Sequence, residues 1–163
     1  MIVLDTTVLL YAVGTEHELR EPCRRLLAAP RRFALTTTSG VIQEFVHVRS
    51  RRRSRSDAVA LGRSYLTLLR PLLDVPEHAV ADALSLLEEH GSLGAFDAVL
   101  AAASQRVGCR AVVTADRAFA EIDDLPVVFP AEVGVAELLR SVPATPQQRR
   151  SSGGGDAGHH PSR

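Results

Sequence analysis

The 163-residue chain contains no lysine; all 19 of its basic residues are arginine. That absence excludes lysine-dependent chemistry: a Walker A phosphate loop, a Schiff-base intermediate and a lysine-supported phosphoaspartate site. There is no tryptophan, and only two tyrosines and five phenylalanines. The core must therefore be built from Leu, Val, Ile and Ala, and base stacking is not expected to be the main basis of single-strand recognition. Tyr11 and Tyr65 read as core or groove wall. The two cysteines, Cys23 and Cys109, lie far apart in sequence, which excludes a disulfide scaffold and a cysteine zinc module and fits a reducing cytoplasm. No apolar run reaches the roughly 18 residues of a membrane span. The chain opens on Ile2-Val3-Leu4-Asp5 with no basic leader, so a cytoplasmic protein is expected.

What is present fits a soluble globular chain, with 45% apolar and 23% charged residues. At roughly 150 residues per domain the length predicts one domain, with a core that needs no staples. Residues 1–142 read as a single unit. Residues 143–163, rich in Gly, Ser and Pro and without apolar periodicity, read as a disordered polar tail, with His159 and His160 as solvated side chains. Nineteen acidic residues balance the 19 basic ones, yet the basic charge is clustered. Arg49, Arg51, Arg52, Arg53 and Arg55 fall in seven residues that hold no acid. A patch this basic admits nucleic acid as a partner despite zero net charge. The same run also reads as a solvated face or a surface for an acidic partner.

Short apolar runs alternate with helical patterns. Strands are predicted at 1–4, 32–36, 111–114 and 127–129, with a short strand or extended link at 72–75. Helices are predicted over 7–13, 18–28, 39–52 with Ser39 as cap, from Asp57 onward, from Pro76 onward, 94–107, 117–122 and 131–140. Ala58, Leu61, Tyr65 and Leu68 form one expected buried stripe; Val80, Ala83, Leu84 and Leu87 form another. Strands separated by helices predict an α/β fold, a parallel sheet sandwiched by helices. Ligands in such sheets bind beyond the carboxyl ends of the strands.

Four acids lie in positions that invite that chemistry. Asp5 and Asp116 directly follow strand patterns, and each also reads as a helix N-cap. Asp97 has Leu93, Gly94, Leu100 and Ala101 as helical neighbours, the apolar side of its helix. A buried carboxylate there requires a metal, a distant cation or water, unless it serves only as a first-turn acid favoured by the helix dipole. Glu44, among Gly40, Val41, His47 and Val48, lies at the edge of a buried stripe. His47 shares that side and reads as a general base or as a packing residue. Carboxylates gathered in one cleft repel one another unless a cation neutralises them. Hard oxygen donors without cysteine or a histidine cluster suit Mg²⁺ or Mn²⁺, and such a site suits phosphodiester hydrolysis.

Ile2-Val3-Leu4-Asp5-Thr6-Thr7-Val8-Leu9-Leu10-Tyr11-Ala12 resembles the opening of PIN-domain ribonucleases, specifically the VapC-type toxins of bacterial toxin–antitoxin pairs. Val41-Ile42-Gln43-Glu44-Phe45, Phe96-Asp97-Ala98-Val99-Leu100-Ala101-Ala102-Ala103 and Thr114-Ala115-Asp116-Arg117-Ala118-Phe119 resemble the later acidic motifs, in order. Residues 127–130 resemble the closing strand. The resemblance spans about residues 1–140. It implies an acidic pocket in which Asp5, Asp97 and Asp116 hold Mg²⁺ or Mn²⁺ and Glu44 completes the catalytic set, with Thr6 and Thr114 as hydroxyl supports. It further implies an endoribonuclease acting on structured RNA such as transfer or ribosomal RNA, a cognate antitoxin partner and a homodimer. The arginine run then reads as an RNA-backbone contact. Alternatives are a housekeeping RNA-processing enzyme, a structure-specific nuclease and a non-catalytic binding module. A phosphoaspartate enzyme is disfavoured, because Thr7 stands where its second aspartate belongs and lysine is absent.

Overall fold

Ile2, Val3 and Leu4 are all fully buried, as expected where helices cover both faces of a parallel sheet. The structure, a computed structural model, describes residues 1–29 and 31–140. The polar segment 143–163 lies outside the described residues. Strand β1 (Ile2–Leu4) is central, flanked by β2 (Leu35–Thr36) and β3 (Ala111–Val113), with β4 (Val127–Val128) beyond β3. All three pairings are parallel, with Ile2 opposite Leu35 on one side and Ala111 on the other. The Asp5 N–H donates to the Val113 carbonyl at 3.0 Å, so the ladder runs one residue past β1.

Seven α-helices flank this sheet among the described residues: α1 (Thr6–Ala12), α2 (Arg20–Leu27), α3 (Ser39–Arg52), α4 (Arg55–Leu68), α5 (Glu77–Glu89), α6 (Ala95–Arg106) and α7 (Glu132–Arg140). Two caps differ from expectation by residue. Thr38, not Ser39, caps α3 by accepting the Val41 N–H. Ser54, not Asp57, caps α4. In each case the cap is the extended residue whose hydroxyl can reach back to an N–H three residues on. Pro76 is itself the N-cap of α5.

One expectation fails locally, and two are met in reduced form. Most of the strand expected at 32–36 is absent: Arg31–Phe33 forms a 3₁₀ turn, Ala34 adopts φ +46°, and only Leu35–Thr36 pairs. The 72–75 segment contributes only one bridge, between Leu73 and Thr38. The 117–122 helix is a 3₁₀ turn, Arg117–Glu121. The helical stripes are met in part, with Ala58, Tyr65 and Ala83 buried and Leu61 and Leu87 packed on the core. Helix α4 buries Ala58, Gly62 and Tyr65 but exposes Leu68; α5 buries Ala79 and Ala83 while Val80 and Leu84 point outward. Small side chains face the partner helix because close approach leaves no room for larger ones: an added Cβ on Gly62 would lie 2.7 Å from Val46 of α3. Cys23 and Cys109 are both buried and unpaired. Desolvation pushes the Cys23 thiol up to about 12, which makes it an inert core residue. No helix among the described residues is long and apolar enough to cross a membrane.

Candidate active site

Parallel β1 and β3 end side by side, so the residues immediately after them share one edge of the sheet. Asp5 is buried at that edge. Its Oδ1 accepts the Thr6 N–H at 2.5 Å, and its Oδ2 accepts the Thr7 hydroxyl at 2.6 Å, the Thr114 hydroxyl at 2.8 Å and the Thr7 N–H at 3.3 Å. The carboxylate thus caps α1 and is held in one orientation from both strands. Each threonine also accepts: Thr7 Oγ1 from the Ala115 N–H at 3.0 Å, and Thr114 Oγ1 from the Asp116 N–H at 2.9 Å. Two hydroxyls therefore tie the end of β1 to the loop after β3, and through them Asp5 is linked to Asp116.

Asp116 caps the 3₁₀ turn by accepting the Ala118 N–H on Oδ1 at 2.9 Å and is otherwise exposed. The capping readings of Asp5 and Asp116 are thus correct, and capping is how the fold aims them. Glu44 projects from α3 and accepts the Thr6 hydroxyl on Oε2 at 2.6 Å, a link across 38 residues of sequence. Asp97, in the first turn of α6, is half-buried. Its carboxyl is pushed up to about 7, first by desolvation and then by the charges of Asp5, Glu44 and Asp116; a hydrogen bond from the Gly94 backbone partly offsets this. Asp5, Glu44 and Asp116 thus lie within electrostatic range of Asp97. A Cβ at position 94 would lie 2.6 Å from Asp97 Oδ2, so a larger residue there would displace the Asp97 carboxyl.

The donor chemistry suits a hard divalent cation: Asp97 is desolvated and within electrostatic range of three further carboxylates, with no thiol or imidazole among the four. Even so, among the described residues no three such groups stand close enough to surround an ion as they are. The hydrogen bonds explain why: Asp5 is held by threonines, Asp97 folds toward Gly94, and Asp116 caps its own turn.

Thr6 and Thr114 both act as supports, as expected. Thr7, noted in the sequence only as a non-acid, does as much as either, and Asp-x-Thr at a strand end is the signal that could have marked it. The arginine run divides. Arg49 is committed within the fold, donating to Asp57 Oδ2 at 2.6 Å and to the Val13 carbonyl at 3.0 Å. Its side chain is only 14% exposed, so it is not a free RNA contact. Arg51, Arg52, Arg53 and Arg55 are exposed at the end of α3 and the start of α4. His47 is also exposed, so it is not a packing residue. Tyr65 is core, with its hydroxyl on the Leu9 carbonyl. Tyr11 is a groove wall: it and Arg52 line one groove, with Thr7 at its edge.

A family model for the PIN domain matches residues 2–125. Ribonuclease VapC7 of Mycobacterium tuberculosis is 52% identical over 142 residues, which is 85% of this chain and 98% of that protein. Among solved structures, VapC20 of M. tuberculosis, a sarcin–ricin loop cleaving toxin, shares the fold with a TM-score of 0.65 at 20% identity, covering 74% of this chain and 93% of its own. VapBC2 of Rickettsia felis, solved on a DNA fragment from its promoter, matches with a TM-score of 0.61 at 20% identity over 79% of this chain and 98% of its own.

Proposed function

This chain belongs to the PIN-domain family, among its VapC-type ribonucleases, and from that premise we propose that it is a Mg²⁺- or Mn²⁺-dependent endoribonuclease toxin. Its substrate is structured RNA, transfer or ribosomal, cut by phosphodiester hydrolysis, and a cognate antitoxin restrains it. The observation that carries this reading is the hydrogen-bonded edge of the sheet, where Thr6 links Asp5 to Glu44 and Thr114 links it to Asp116, with the Asp97 carboxyl pushed up by burial and by those three charges. Such an arrangement is costly unless a cation neutralises it.

Asp5, Asp97 and Asp116 are the residues that would hold the ion. When bound, it neutralises the cleft, lowers the pKa of a water and stabilises charge on the phosphoryl oxygens. The chain's own part is positioning. Thr7 and Thr114 fix Asp5, and Thr6 holds Glu44 where it can orient the attacking water. Arg51, Arg52, Arg53 and Arg55 offset the acidic cleft's repulsion of phosphate. The likeness to VapC7 supports the ribonuclease activity, and the paired VapBC2 neighbour supports a partner protein. The family's assembly extends the reading to a homodimer.

The test is cleavage of a structured RNA by the purified chain. Mg²⁺ or Mn²⁺ should support it and EDTA should stop it. Asp5→Asn, Asp97→Asn and Asp116→Asn should each lower the rate by at least about 100-fold, with far-UV circular dichroism unchanged. Near wild-type cleavage by those variants, or cleavage in EDTA, defeats the assignment.

A further inference from the structure

Thr7 and Tyr11 are four residues apart in α1, so they share one helix face about one turn apart. Thr7 holds Asp5 Oδ2 through its hydroxyl. Tyr11 lies one turn further along, in a groove of about 440 Å³ that Thr7, Tyr11, His17, Arg49, Arg52 and Arg53 help to line. Through Thr7 the groove reaches to within one side chain of Asp5. Its size is in the range of a small-ligand site, enough for one nucleotide and too small for a duplex.

The groove combines two chemistries that nucleotides use. The Tyr11 and His17 rings pair with centroids 4.6 Å apart and an interplanar angle of 34°. The Leu19 N–H donates to His17 Nδ1 at 3.1 Å, which orients the exposed imidazole and leaves the neutral ring's proton on Nε2. Arg52 and Arg53, both exposed, also line the groove. Arg49 holds the wall by bridging the Val13 carbonyl at the end of α1 to Asp57 of α4.

From this we infer that the groove between α1 and the end of α3 is a single-nucleotide subsite, in which an unpaired RNA base near the scissile phosphate packs against the tilted Tyr11–His17 ring pair while Arg52 and Arg53 take its phosphate. The inference rests on the ribonuclease reading and makes it more specific. An RNA that presents an unpaired base at the cut site is the preferred class, because a base held in a duplex cannot enter. Tyr11 and His17 are positioning residues, since they meet the base and not the reacting atoms. The scarcity of aromatics in the whole chain does not weigh against this, because one pair suffices for one base.

The test uses the full chain in EDTA, so that binding is read without cleavage. The probes are eight-nucleotide single-stranded RNAs carrying 2-aminopurine at each position in turn. Binding should quench the fluorescence of one position. Tyr11→Leu should abolish that quench and raise Kd about tenfold, within the range of one lost base–aromatic stack. Because Tyr11 also packs against the core, His17→Ala provides a second variant at an exposed site, and it should weaken both the quench and the binding. Arg52→Ser should raise Kd and reduce its salt dependence but leave the quench at saturation intact. A quench unchanged in Tyr11→Leu and His17→Ala, or no quenched position at all, overturns the subsite; the latter is the result expected if the groove takes a peptide. Quenching without Mg²⁺-dependent cleavage would overturn the nuclease reading alone, and cleavage without quenching the subsite alone.

Discussion

Asp97 lies half-buried in the first turn of α6, where desolvation and three carboxylates push its carboxyl up to about 7. Its unfolded value lies near 4, so between those pH values the folded protein holds a proton that the unfolded chain has released. Stability therefore falls as pH rises through that window, and the full penalty applies above pH 7. In metal-free protein at pH 8, Asp97→Asn should raise stability by about 2 kcal/mol, or about 5 °C in Tm. The gain should vanish as the pH falls to 4. Mg²⁺ should raise the Tm of the wild type more than that of the variant, because the ion removes the same penalty. Thermal denaturation at the two pH values, with and without Mg²⁺, measures this. Equal Tm values for the two proteins at pH 8 would show that Asp97 is not frustrated.

At the scale of elements, the structure holds its helices by polar ties at their ends as much as by stripes along their lengths. Arg49, in the last turn of α3, donates to the end of α1 and to Asp57 of α4, and so joins three helices. The guanidinium holds the Asp57 carboxyl below the usual carboxylate range through that hydrogen bond. A carboxyl lowered in this way stabilises the fold above its unfolded pKa and loses that contribution as pH falls through the folded value. Arg49→Ala should lower Tm at pH 7 by several degrees, and the difference from wild type should shrink toward pH 3. Arg51→Ala, at an exposed position of the same helix, should have little effect on Tm. Equal effects of the two substitutions at pH 7 would refute the clamp.

The whole molecule pairs acids linked at the carboxyl edge of the sheet with exposed arginines where α3 meets α4. Zero net charge conceals this separation. Four exposed arginines set the expected electrostatic contribution to RNA binding: replacing Arg51, Arg52, Arg53 and Arg55 together with Ser should flatten the slope of log K against log salt by about 2–3. Filter binding across a salt series in EDTA would measure it. An unchanged slope removes these arginines from the RNA footprint.

Local patterns in the chain suffice for the alternation of strands and helices, the strand-end positions of Asp5 and Asp116, and the exclusion of lysine chemistry, because each depends on neighbours a few residues away. The apolar Ile2-Val3-Leu4 run predicts a central strand without knowledge of its partners. The unusual placement of Asp97 on an apolar helix face is equally legible. Tertiary structure decides what depends on contacts across the chain. In α5 the approach to α6 buries Ala79 with the expected Ala83 and leaves the larger Val80 and Leu84 outward, while Leu87 packs on the core as expected. Arg49 left the basic run because Asp57 and Val13 lie within its reach only after folding. Thr6 reaches Glu44 across 38 residues and Thr114 reaches Asp5 across 109. Sequence gives each group its chemistry, but only packing brings charges close enough to perturb one another, because Coulomb interaction depends on distance in space and not along the chain.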